Sequence, residues 1–342
     1  MTNAETGFQK SESQITTGKA FSLRDIVFRY GSLIFLILLF GGLSVASPSF
    51  RTPTNLVNVA LQTSVLVIVG MGQAYTMMTA GIDLSVGSVI ALSGAIAAGL
   101  AAQATTLPAG TYGGQGVTPV LAIALALGVG ALIGALNGIL YVRGGIPPFV
   151  ATLATLAIAR GLTLVYTGGY VIPATNPGLN FLGAGQIGPI PVPVIAMIIL
   201  FGVLWFILTQ TRFGLHVYAI GGNAETTRLA GVRTNRVIVG TYVLSGLMAA
   251  IGGIILMGRL NSAQPNVAVG FELDAIAAPV IGGVSLFGGI GTMTGTVIGA
   301  FIMGTLSNGM NLLGTDPYLQ QVIKGVVFML AVAWDFYSKR NR

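Results

Sequence analysis

Long apolar runs separated by short polar or glycine-rich pieces set the pattern of this chain. VPVIAMIILFGVLWFIL ends just before Arg212 and VIVGTYVLSGLMAAIGGIILM begins just after Arg236. Each is long enough to cross a bilayer as a helix. Taken along the chain, hydropathy predicts ten crossings at about 27–46, 55–79, 84–103, 118–141, 148–167, 190–210, 237–258, 271–288, 292–312 and 319–337. The expected fold class is an all-α polytopic membrane protein, with a transmembrane domain over 27–338. Residues 1–26 are polar and rich in Ser and Thr, and are expected to form a disordered tail on the cytoplasmic side. Basic residues flank the first run as they do in a signal peptide. No clean small-residue cleavage site follows, so an uncleaved first helix is expected.

Charge sets the orientation. Only 7% of the residues are charged, against roughly 25% in soluble domains, and the mean hydropathy is +0.85. The net charge of +7 is spread over interhelical loops and does not form a nucleic-acid surface. With the N-terminus inside, twelve of the sixteen basic residues fall on the inner side: Lys10, Lys19, Arg24, Arg29, Arg143, Arg212, Arg228, Arg233, Arg236, Lys339, Arg340 and Arg342. Arg51 and Arg259 fall outside, while Arg160 and Lys324 lie within expected spans. An excess of inner positive charge is what orients a membrane protein, so both termini and the segment 212–236 are assigned to the cytoplasm. The surrounding partner of the spans is membrane lipid.

The chain also repeats itself. AGIDLSVGSVIALSGAI (80–96) resembles VGFELDAIAAPVIGGVS (269–285), GALIGALNG (130–138) resembles GAFIMGTLSNG (299–309), and PPF (147–149) resembles DPY (316–318). The displacement is five spans, an odd number, so the copies at about 55–167 and 237–337 are expected to have inverted topology. Inverted repeats mark transporters, with the solute path at the interface between copies.

Polar residues inside or beside the apolar runs are the candidates for function. Asp83 and Ser85 lie in a glycine-punctuated break, where they either line a wet path or cap the next helix. Glu272 and Asp274 occupy the corresponding break, with solvated loop charges as the alternative. Asn137 and Asn308 stand in matching ALNG and LSNG pieces and either bond a neighbouring helix or line a path. Arg160 and Lys324 are intramembrane charges that can serve function or snorkel to an interface. No chemistry is assigned to the lone His216.

Several classes are excluded. With no cysteine there is no thiolate chemistry and no disulfide, and one histidine without an acidic cluster makes no dedicated metal site. No phosphate-binding loop, nucleophile elbow or H-E-x-x-H piece occurs. If ATP drives this protein, another chain supplies the ATPase.

The pieces AGIDLSVGSVIALSGAI, ALNGILYVRGGIPPFVATLATLAIARGLTLVYTGG, YAIGGNAETTRLAGVRTNRV, GFELDAIAAPVIGGVS and NGMNLLG together resemble the permease subunits of bacterial ABC monosaccharide importers. These are the ribose, xylose, arabinose and galactoside type within the branched-chain-amino-acid-like permease group. The likeness runs from about 50 to 335, with two departures: Gly-Gly-Ile-Pro-Pro at 144–148, and Pro279 inside the eighth span. It implies import of a neutral monosaccharide across the bacterial cytoplasmic (inner) membrane by alternating access. The implied partners are an ABC ATPase, as a subunit or in tandem form, a periplasmic or extracellular sugar-binding protein, and a second permease copy. No cofactor is expected in this chain, since ATP and magnesium belong to the ATPase. The family's ATPase-contacting loop maps onto Gly221, Gly222, Asn223, Glu225, Arg228 and Gly231. The alternative is a gradient-driven secondary transporter with Asp83 or Glu272 as its coupling carboxylate. A membrane-embedded enzyme is a more distant possibility.

Overall fold

A computed structural model describes residues 23–340, with side chains from Tyr30 to Tyr337 apart from Ala104. The segment expected to be a disordered tail lies outside the described residues up to 22, and its last four residues, 23–26, belong instead to the first helix. The described chain is built of α-helices: α1 (Leu23–Ala46), α2 (Pro53–Met78), α3 (Val86–Ala101), α4 (Pro119–Val142), α5 (Pro148–Thr167), α6 (Pro177–Ala184), α7 (Val192–Gln210), α8 (Arg212–Gly222), α9 (Ala224–Leu229), α10 (Thr234–Leu260), α11 (Phe271–Ile281), α12 (Met293–Leu312) and α13 (Pro317–Arg340). Two two-residue ladders join β1 (Ile172–Pro173) to β4 (Ser262–Ala263) and β2 (Gln186–Ile187) to β3 (Ile190–Pro191).

Proline marks many of the starts. It occupies one of the first two helical positions in α2, α4, α5, α6 and α7, where its missing N–H would have no intrahelical partner anyway. Six helices, α2, α4, α5, α7, α10 and α13, contain stretches long and apolar enough to cross a membrane. Two expected spans are shorter than hydropathy suggested. The stretch at 84–103 is helical only over the 16 residues of α3, and that at 271–288 only over the 11 residues of α11. After α11 the backbone turns through Gly283, Gly288 and Gly289 at positive φ, a conformation that ends a helix whatever its hydropathy.

The core is organised on α10, which packs against α2, α3, α4 and α6. Its contact with α4 is a glycine seam, in which Gly130, Gly134 and Gly138 repeat every fourth residue and share one helix face. A Cβ at Gly130 would lie 2.5 Å from Gly246 O, one at Gly134 would overlap Tyr242 O, and one at Gly138 would lie 2.8 Å from Val239 Cα. Backbone therefore meets backbone along this seam. Such close approach is what drives helix association where the surroundings are as apolar as the side chains. The other main pairing joins α2 to α12, and α2 also packs directly on α10.

Gly134→Leu should therefore disrupt the bundle, since overpacking a closed seam costs about 1–3 kcal/mol or more. The expected result is loss of monodisperse protein in detergent and a lower melting temperature. Gly128→Ala, on the same helix but with nothing within 4 Å of the added carbon, should behave as wild type.

Candidate functional site

The end of α2 shapes the first part of the site. Ala80 N bonds Met77 O at 2.8 Å and Gly81 N bonds Thr76 O at 2.9 Å, which closes the helix with Ala80 in the left-handed region at φ 58°. The chain then runs extended into α3, leaving the backbone of Ile82 and Asp83 without helical partners. Side chains from three helices supply them. Tyr242 of α10 and Thr152 of α5 each donate to Ile82 O at 3.3 Å. Gln73 of α2, with its amide nitrogen turned toward Asp83, donates to Asp83 O and accepts from Asp83 N, both at 3.1 Å.

The Asp83 carboxylate is fully buried and surrounded by neutral donors. Oδ1 accepts from Ser85 N at 2.9 Å, Ser85 Oγ at 2.6 Å and Asn137 Nδ2 at 3.4 Å, while Oδ2 accepts from Ser245 Oγ at 2.8 Å. Asn137 also donates to Ser85 Oγ at 2.9 Å and accepts from Thr155 Oγ1 at 2.6 Å. Asp83, Ser85 and Asn137 thus form one node tying α3, α4, α5 and α10. Of the two roles open to Asp83 and Ser85, the local one is visible in part. Asp83 closes an Asx turn on Ser85 N, whereas the Ser85 side chain makes no capping bond to α3. Gln73, Ser245, Thr152 and Thr155 were not singled out from sequence. Their signal was there, as isolated polar residues within apolar runs.

Asn308 belongs to a different seam. Its amide and that of Asn55 exchange two hydrogen bonds of 3.0 Å, buried between α12 and α2, and Asn55 also donates to Phe50 O at 2.9 Å. Glu272 and Asp274 lie in the first turn of α11, where the helix dipole favours negative charge. Glu272 reaches the first turn of α3, since a Cβ at Gly87 would lie 2.5 Å from its Oε2. The N-terminal turns of the two short helices therefore meet. Nearby, Arg160 donates to Pro265 O at 2.7 Å and Val267 O at 3.0 Å, holding the loop that leads into α11. Asp274 accepts from Lys324 of α13 at 2.9 Å, a partner that sequence did not suggest.

The third group lies on α8 and α9. Gly221, near the end of α8, is pressed so closely on Met78 O and Gly289 N that any Cβ there would overlap both, and Gly289 N donates to Met78 O at 3.0 Å. Gly222 faces open space. Asn223 then caps α9, its Oδ1 accepting from Thr226 N at 2.9 Å, and Gly231 follows the helix at φ 86°. On the exposed side, Arg228 forks onto Glu225 through Nε to Oε2 at 2.9 Å and Nη2 to Oε1 at 2.6 Å. These bonds hold the Glu225 carboxylate below its ordinary value. What they add to α9 is present above the unfolded carboxylate pKa and is lost only as pH falls through the lowered one. Leu229 beside them is 74% exposed, an apolar side chain left open on a charged helix.

Apolar spanning helices, backbone-to-backbone seams and buried polar residues around a broken helix are the construction of a polytopic membrane transport protein. Residues 55–332 match the family described as branched-chain amino acid transport system / permease component, and the chain belongs to that family. It is similar to the Ribose import permease protein RbsC of Bacillus subtilis (strain 168), with 44% identity over 95% of this chain and 98% of that protein. The protein of the same name from Escherichia coli (strain K12) is 42% identical over 94% and 98%. The D-allose transport system permease protein AlsC of Escherichia coli (strain K12) is 38% identical over 95% and 96%. No solved structure matches the chain.

Within the node, Ser245→Ala removes one bond to Asp83 and should cost about 1 kcal/mol. Asp83→Ala strands the donors of Ser85, Ser245 and Asn137, at about 1–3 kcal/mol for each one left unsatisfied. Thermal unfolding in detergent should therefore rank wild type above Ser245→Ala and Ser245→Ala well above Asp83→Ala.

Proposed function

We propose that this chain is the membrane-embedded permease subunit of an ATP-binding-cassette importer that carries a neutral monosaccharide, ribose or a related pentose or hexose, into the cytoplasm. The observation that carries the substrate class is the similarity, at 38–44% identity over nearly the whole chain, to relatives named for ribose and allose. A neutral solute also suits an interior in which Asp83 is hydrogen-bonded by neutral donors, Arg160 is held by backbone carbonyls and Asp274 is paired with Lys324. Ten crossings, with both termini in the cytoplasm of a bacterial inner membrane, fit the distribution of basic residues.

In this reading α2–α5 and α10–α13 are the inverted copies. The packing supports it. α2 lies on α12 as α10 lies on α4, the two leading helices pack on each other, and the second helix of each copy, α3 or α11, is a short helix after a break. Exchanging the two copies leaves this set of pairings unchanged. Alternating access then moves one copy against the other around the region where α3 and α11 meet.

Energy comes from a separate ATPase carrying ATP and magnesium, docked on α8 and α9. Helix α9 has six residues, too few to be stable alone, yet it is capped at both ends and presents Glu225, Arg228 and Leu229 outward. Gly221 seats the preceding helix, α8, against the end of α2 and the loop after α11. A push on α9 thereby reaches both helix breaks without crossing solvent. A sugar-binding protein on the far side would deliver the solute, and a second permease copy would complete the complex.

Two measurements check this reading. Proteoliposomes containing the chain alone should accumulate no monosaccharide under an imposed proton or sodium gradient. Addition of its ATPase, the binding protein and ATP should start uptake. Gradient-driven uptake by the chain alone would instead establish the secondary-transporter alternative. Arg228→Glu should insert and fold normally while uptake and sugar-stimulated ATP hydrolysis fall together, at least tenfold if about 1.4 kcal/mol of docking is lost. Unchanged coupling would remove Arg228 from the dock.

A further inference from the structure

We infer that the cavity between α11, α12 and α13 is a carbohydrate subsite on the transport path, in which the Asp274–Lys324 pair recognises sugar hydroxyls. The inference rests on the permease reading above and adds a place for the solute within this chain. The cavity measures about 370 Å³, inside the roughly 300–1,000 Å³ range of small-molecule sites. Its wall includes Phe271, Asp274, Met303, Gln321, Lys324 and Phe328.

The chemistry of that wall is selective. Lys324 Nζ donates to Asp274 Oδ2 at 2.9 Å, and the two side chains keep 27% and 22% of their surface open. Lys324 is the eighth residue of α13, a helix apolar enough to span a membrane. Charged groups left partly open at such a position need water or a polar solute, because contact with lipid is costly. An ammonium has three donors and a carboxylate several acceptor sites, so a single bond between them leaves both able to bind more. Hydroxyl groups donate and accept, and can therefore bridge such a pair without breaking it.

The remaining wall completes the match. Gln321 stands one turn before Lys324 on the same face of α13 and adds an amide, with one donor and one acceptor group. Phe271 and Phe328 offer apolar surface to the carbon–hydrogen face of a sugar ring. The two charges cancel within the pair, so an anion or a cation would have to compete with the internal partner, whereas a neutral polyol would not. Asp274 is held in the first turn of α11, where the dipole keeps its charge favourable, so the pair is set before any solute arrives.

The absence of cysteine from the chain permits a direct test. Gly325 lines the cavity and has nothing within 4 Å of an added Cβ, so Gly325→Cys puts a thiol on the wall without crowding it. In proteoliposomes holding the permease with its ATPase and binding protein, the rate of labelling by a small uncharged maleimide is measured with ribose, allose or arabinose at millimolar concentration. Glycine betaine at the same concentration serves as the control solute. At least one sugar should slow labelling several-fold while betaine does not, and Val322→Cys, outside the cavity lining, should show no protection. Adding Asp274→Asn and Lys324→Gln to the Gly325→Cys chain should abolish protection. Equal labelling with and without every sugar, equal protection by betaine, or protection that survives the double substitution would overturn the subsite. ATP-driven uptake in the same vesicles separates the two levels. Uptake without protection overturns the subsite alone, and no uptake of any monosaccharide overturns the permease reading and the subsite with it.

Discussion

A broken helix inside an apolar bundle is tolerated only if its backbone groups find partners, and that requirement governs the interior of this protein. Between α2 and α3 the chain leaves helical geometry for several residues. Gln73 takes both backbone groups of Asp83, and Tyr242 and Thr152 converge on the carbonyl of Ile82. The Asp83 carboxylate then gathers Ser85, Ser245 and Asn137. Every one of these polar residues is explained by the break. Remove it, and they would be unpaired groups in an apolar core.

The break in turn fixes how closely the helices must pack. Asn137 can reach Asp83 and Ser85 because α4 lies backbone-to-backbone on α10, and α4 can lie there because Gly130, Gly134 and Gly138 leave no side chains on that face. Composition, packing and site are therefore one argument. The high glycine content permits the seam, the seam brings α4 and α10 together, and the polar node forms where they pass the start of α3. At the end of α8 a single glycine works in the same way. Gly221 admits the end of α8 onto Met78 and Gly289, so the surface helix α9 is joined through α8 to both irregular segments rather than resting on lipid-facing spans.

Much of this was legible in the chain itself. Hydropathy located the apolar helices because bilayer thickness and helical rise fix the length of a crossing, and six of the described helices are long and apolar enough to make one. Local capping chemistry was equally readable. Asn223 and Gly231 bracket α9, and Glu225 pairs with Arg228 one turn away, because such contacts depend only on near neighbours. The lengths of α3 and α11 were not readable. Hydropathy measures how apolar a stretch is, and the turns around Gly283, Gly288 and Gly289 are as apolar as a helix.

What only the tertiary structure decided is which polar residue meets which. Asn137 and Asn308 stand in matching sequence pieces, yet one enters the Asp83 node and the other exchanges amide bonds with Asn55. Asp274 and Lys324 are fifty residues apart and pair across α11 and α13, while Arg160 turns to the carbonyls of Pro265 and Val267. Sequence alone determined that these groups lie among apolar helices and so need partners, since an unpaired polar group there is costly. It could not determine the partners. They are chosen by the rotation and offset of whole helices, and a glycine repeat on one helix marks a seam without naming the partner helix or its register.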